Sequence, residues 1–321
     1  MPYINVDEVY ILDNTGLQVD QVTDIPYTNA NLSDDQKAQA RKNIGAGGSN
    51  PNIINNPFFT VNQRGVSGSV AGAQYGVDRW YFNAGSGQTI QMGTGYITLP
   101  ASGYEIYQTI EDLSGLYGSP VTISVLLNDG TIISTASADL PTSPSVQNYV
   151  NYTANGVRIR LRYISGTNWR VLLNASDSTD VTIKAVKVEK GTYSTLANDG
   201  PPDYGTELTK CMRYFQRVTG AYYLDLGTAL AESSTNLLLK YWLPVPMRVA
   251  PTTSTSGSFV LWTGSVGNAV SNISTHTNVT PANNCGYVTL QATSTGLTTG
   301  NRYNIQCRQN SSAYIDFSAD L

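Results

Sequence analysis

From residue 51 onward the chain is a succession of short runs rich in Val, Ile, Thr and Tyr, each cut off by a turn signal. Examples are "YEIYQTI", "VTISVLL", "GVRIRLRYI", "NWRVLLNA" and "VTIKAVKVEKG". These residues favour a pleated, half-buried surface. Turn formers such as Asn128-Asp129-Gly130 and Asn155-Gly156 stand between them. Many short strands at such spacing predict an all-β protein of sandwich or jelly-roll type. Only 13% of the 321 residues are charged, about half the usual share. Gly (29) and Tyr (21), with abundant Ser, Thr and Asn, take their place. No self-similarity appears at periods of about 20–50 residues, which argues against a solenoid or long β-helix.

One stretch breaks the pattern. "NLSDDQKAQARKNIG" (31–45) predicts a helix with Ser33 as N-cap, Gln36 completing a capping box and Gly45 closing the C-terminus. Asp34 and Asp35 near its start and Lys37, Arg41 and Lys42 further on match the helix dipole. Its only apolar residues are Ala38, Ala40 and Ile44, too few to hold so short a helix in water. Copies packed around a symmetry axis supply the missing contacts, so the helix reads as the neck of an oligomer.

The expected organisation is an N-terminal attachment segment (1–30), the neck helix with its "GAGGSNPN" linker (31–50), a jelly-roll module (51–192), a linker (193–205) and a second β-sandwich (206–321). In the last part Thr206 is expected to cap a short helix with Leu208, Cys211, Met212 and Phe215 on one face. The proline-bracketed "LPVPMRVAP" fits an edge or a loop.

Several functions are disfavoured. A net charge of −4 without any Lys/Arg-rich run speaks against nucleic acid, whose affinity comes largely from phosphate contacts. The densest basic stretch, "RIRLRY", alternates Arg158, Arg160 and Arg162 with apolar residues and reads as one polar face of a strand. No run of about 18 apolar residues predicts membrane insertion, and "MPYINVDEVY" does not resemble a secretory signal. Cys211, Cys285 and Cys307 read as buried thiols of a protein folded in a reducing cytoplasm, a Cys285–Cys307 disulfide being the alternative. His276, the single histidine, has no carboxylate or cysteine at ligand spacing. Neither a catalytic triad, a phosphate loop, a metal site nor a cofactor is expected. Of the carboxylates a glycosidase would need, Asp78 reads as structural, and Glu111 and Asp112 as solvated; Glu105 completes the candidates.

Aromatic residues carry the remaining signal. Trp80, next to Arg79, reads as a core or inter-sheet residue in preference to a ligand platform, and Trp169 alternates with Val171 and Leu173 in the phase of a core residue. Tyr104 and Tyr107 differ in strand phase, so one of them faces outward. Tyr222 and Tyr223 are adjacent, which turns one outward as well, and Trp242 and Trp262 raise the same question. These six residues are the candidate receptor contacts, because clusters of Tyr, Trp, Asn and Ser suit adaptable binding surfaces.

In order along the chain, "LSDDQKAQARKNIGA", "NIINNPFFTVNQRG…YGVDRWYF", "DVTIKAVKVEKGTYST" and "ELTKCMRYFQR" with "LPVPMRVAP" resemble bacteriophage tail-fibre and baseplate-associated receptor-binding proteins. The second and third segments are similar to the opening and close of a carbohydrate-binding-module-like jelly roll. The resemblance implies a trimeric virion component, assembled in the bacterial cytoplasm and attached through its N-terminus to a tail or baseplate protein. It also implies non-catalytic recognition of a bacterial surface polysaccharide or protein. A tail enzyme that degrades capsule and a purely structural baseplate or collar spacer are the alternatives.

Overall fold

Alternation of apolar and polar side chains sets the strands and their inner faces. Strand β11 (Val157–Ser165) buries Val157, Ile159 and Leu161 and turns Arg158 and Arg162 outward. The hairpin that follows returns as β12 (Asn168–Ala175), which buries Trp169, Val171 and Leu173. The computed structural model describes residues 48–101, 103–219, 223–262, 266–275, 286–308 and 312–321. The expected attachment segment and neck helix, with Tyr222, His276 and Cys285, lie outside the described residues. Gly48–Leu321 forms one compact unit, and its described residues are all-β apart from one α-helix and two short 3-10 turns.

The first module is two antiparallel sheets face to face. One has the order β1 (Gly68–Ala71), β4 (Thr89–Gly93), β5 (Tyr96–Leu99), β13 (Val181–Lys190), β7 (Pro120–Leu127) and β8 (Ile132–Ser134), with β9 (Ala138–Asp139) also on β7. The other runs β10 (Asn148–Ala154), β11, β12, β6 (Glu105–Ile110), β3 (Tyr81–Asn83) and β2 (Gln74–Tyr75). Both sheets contribute to one core, in which Trp80 and Trp169 are fully buried. The Trp169 ring lies 5.2–6.2 Å from the rings of Tyr117, Tyr149 and Tyr163, distances typical of aromatic clusters.

Beyond β13 the chain forms helix α1 (Tyr204–Met212). Its N-cap is Asp203, whose Oδ1 accepts the Thr206 N–H at 2.8 Å. The cap thus falls before the expected Thr206, because Asp203 offers a carboxylate three residues ahead of that amide. The helix buries Glu207 and Cys211, with Leu208 and Met212 half-buried beside them, while Phe215 already belongs to a strand.

The segment expected to form a second sandwich closes into a barrel instead. The barrel order is β15 (Tyr223–Ala231), β16 (Asn236–Trp242), β20 (Tyr287–Thr293), β19 (Val266–Thr275), β18 (Phe259–Trp262) and β21 (Arg302–Arg308), which returns to β15. Closure requires bending, and β15 bends at a bulge between Asp225 and Gly227, where Gly227 takes a φ of 117°. Ala229, Ala231 and Ala292 keep the interior narrow enough for Leu237, Leu239, Leu290 and Ile305 to fill it. A three-stranded sheet, β14 (Phe215–Thr219), β22 (Tyr314–Ser318) and β17 (Thr252–Ser256), completes this second module. The "LPVPMRVAP" segment is the loop between β16 and β17.

The modules are joined by a polar and aromatic junction. Arg79 is 2% exposed. It donates to the Thr109 carbonyl at 2.6 Å and lies 3.4 Å from the centre of the Tyr214 ring. Gln63 bridges the Asp78 carboxylate (2.5 Å) and the Phe215 carbonyl (2.7 Å). Arg64 pairs with Asp320 at 2.5 Å and stacks 3.6 Å from the Phe215 ring. Tyr75 donates its hydroxyl to the Leu321 carbonyl at 2.6 Å.

Candidate functional site

Two surfaces bring together residues that suit ligand contact. The first is on the barrel. In β16, Leu237, Leu239 and Tyr241 lie on one side, and Tyr241 stacks on Phe317 at 5.3 Å. That phase leaves Lys240 and Trp242 on the solvent side. Antiparallel register sets Trp242 opposite Tyr287 in β20. Their rings are 5.1 Å apart at 53°, and Lys240 Nζ lies 4.7 Å from the Tyr287 ring. At 68% exposure Trp242 is the most open large hydrophobic side chain among the described residues. An indole held on one side by a tyrosine and open on the other presents a flat, polarizable face with a cation close by.

The second surface is the outer face of the six-stranded sheet. Tyr75, Tyr81 and Tyr107 sit side by side on β2, β3 and β6, with successive ring centres 5.0 Å apart. The Arg170 guanidinium lies 4.2 Å from the Tyr107 ring. Arg160 donates to Glu105 at 2.7 Å and to Asn174 at 2.8 Å. Burial raises the Tyr107 phenol pKa, with Arg170 pulling the other way, so the ring stays a neutral donor.

The expected contact residues divide between these surfaces and elsewhere. Trp242 belongs to the first. Tyr107 belongs to the second but is only 8% exposed. Tyr104 is half-buried against the sandwich core, edge-on to Phe82 at 6.4 Å. Trp262 ends β18 half-buried, opposite Asn304. Tyr223 opens β15 opposite Arg308, and Tyr222 lies outside the described residues. Tyr287, Lys240, Tyr81 and Arg170 were not singled out from sequence. Lys240 follows from the phase of Trp242's own strand, whereas strand register alone brings Tyr287, Tyr81 and Arg170 next to the expected residues, and register between strands leaves no local signal.

The candidate carboxylates are engaged in holding the fold. Asp78 accepts from the Gln63 backbone and side chain beside Arg64. Glu105 is held by Arg160. Glu111 lies at the module junction, reached by Arg213 at 3.2 Å, the Tyr214 hydroxyl at 3.0 Å and Arg248 at 3.7 Å. The Ser114 side chain bonds Asp112, which also accepts the Ser114 N–H at 2.7 Å, and both pull its pKa below the ordinary value. A cleft of about 460 Å³ lies where residues 49–58 pass Asp199, Glu207 and Lys210. Beneath it the buried Lys187 ammonium reaches Ser49 (2.6 Å), Thr195 (2.8 Å) and Asp199 (2.7 Å). No family model, no curated protein and no solved structure matches this chain.

Proposed function

We propose that the chain is a receptor-binding protein of the bacteriophage tail-fibre type, which attaches a virion to a bacterial surface glycan without catalysis. The observation that carries this reading is the open Trp242 ring, flanked by Tyr287 and Lys240 on the outside of the barrel. A pyranose ring has an apolar face of C–H groups that an exposed indole covers well, and its hydroxyls then reach nearby polar side chains. A single large apolar side chain left in water is ordinary by itself. Its pairing with a second aromatic and a cation is what suits a sugar.

In this reading residues 1–30 attach to the tail or baseplate and 31–50 form the neck of a trimer. The two-sheet module acts as a jelly-roll spacer or glycan binder, and the barrel meets the cell. One platform of this size binds weakly. Three copies on one particle raise the effective affinity by roughly 10²–10⁴ when all engage together.

The test is retention of the purified full chain on a panel of bacterial cells and their extracted surface polysaccharides. Trp242→Ala is expected to cut retention at least tenfold with an unchanged melting temperature, since the side chain supports little of the core. Equal retention of both proteins on every surface contradicts the reading. Release of new reducing ends from any bound polysaccharide would assign the protein to catalysis instead.

A further inference from the structure

The outer face of the six-stranded sheet has a charge pattern that folding does not require. Its six strands carry Arg158, Arg160, Arg162 and Arg170 against a single carboxylate, Glu105, in a chain of net charge −4. Register makes the concentration sharper. Arg162 lies directly opposite Arg170, while Arg160 faces Leu172 and Arg158 faces Asn174. Like charges placed directly across a strand pair destabilise a sheet. Glu105 engages Arg160, whereas Arg158 and Arg162 are exposed. Alternate residues of a strand are about 7 Å apart and neighbouring strands about 5 Å, so the guanidinium groups form a compact cationic patch. It borders Tyr107 and the half-exposed Tyr81.

From this patch we infer that the sheet face is a second binding surface, separate from Trp242, and that its ligand is an acidic polysaccharide bearing carboxylate groups. A guanidinium matches a planar carboxylate through two parallel N–H bonds. Tyr81 supplies an adjoining aromatic surface for the sugar ring that carries the acid. Within the protein Arg160 already donates one N–H to the Glu105 carboxylate, at 2.7 Å. Nucleic acid is the less suitable occupant: the chain as a whole is acidic, with a pI near 5.0, while phosphate-backbone binding favours a basic domain. The inference shares with the proposed function the premise that the receptor is a glycan, and nothing else.

Binding of the full chain to immobilised polygalacturonate, to the same polymer after carboxyl reduction, and to polyphosphate tests it. Wild type is expected to bind polygalacturonate at least tenfold more tightly than either comparison polymer, and less tightly as salt is added. The double variant Arg158→Gln/Arg162→Gln, which alters two exposed side chains, is expected to lose that preference while keeping its melting temperature. Equal binding to polyphosphate would reduce the patch to a general polyanion site and overturn the inference. Unchanged preference in the double variant would also overturn it. If wild type binds only the reduced polymer and Trp242→Ala abolishes this, the inference fails and the receptor-binding reading stands. Failure to bind any of these polymers, together with no retention on cells, removes both.

Discussion

Asp78 and Arg79 sit at a constrained point of the junction. Arg79 adopts a φ of 75°, a left-handed conformation that costs a residue with a side chain about 1–3 kcal/mol. Its guanidinium contacts with Thr109 and Tyr214 hold it there. Asp78 is almost completely buried, and burial raises its pKa above the ordinary 3.8 although Arg64 and Gln63 pull it down. A carboxyl with a raised folded pKa binds its proton more tightly when folded. Its stabilising contribution is therefore fully present below 3.8 and is lost as pH rises through the folded value. Asn at this position cannot titrate. The stability advantage of wild type over Asp78→Asn is expected to shrink between pH 3 and pH 7, measured as the difference in urea midpoints. A difference that stays constant or grows over that range would contradict the burial argument.

At the scale of elements, β13 shows how one strand organises its surroundings. A register shift between Ile183 and Ala185 precedes Val186 and Val188 on the core side and Lys187 and Glu189 on the other. That other side is covered by residues 49–53 and the turn at Leu196–Asn198, so Lys187 and Glu189 are both fully buried. The Lys187 ammonium satisfies Asp199, Thr195 and Ser49, while Glu189 accepts from the Thr195 N–H at 2.7 Å. Lys187→Met would leave two carboxylates near the site without their cation. The expected cost is about 3–5 kcal/mol, read from chemical denaturation. A change below about 1 kcal/mol would mean that the cluster is not the clamp described here.

Strands such as β11 and β12 were legible because their alternation is local, and the core position of Trp169 followed from the same rule. Barrel closure was not legible. It depends on β15 pairing with β21 across more than 70 intervening positions, as in Leu224 with Cys307; Gly227 marks a bulge in β15, but a bulge does not by itself specify closure. The candidate site divides in the same way. Trp242 stood out beside Tyr241, but its partner Tyr287 is far along the chain. The arginine alternation in "RIRLRY" was visible, whereas the arrival of Arg170 beside it needed the hairpin.

For the whole molecule, the junction makes the two modules one body, since Gln63, Arg64, Tyr75 and Arg79 each contact residues of the second module. A ligand held by the barrel therefore pulls on the sandwich and, through it, on the chain that enters at Ser49. In the receptor-binding reading proposed above, single sites are weak and gain strength only in several copies, so that reading depends on multivalency. Sedimentation equilibrium of the full chain at micromolar concentration measures it directly. A particle with three times the 34.6 kDa chain mass is expected, and a folded species of one chain mass would overturn multivalent attachment.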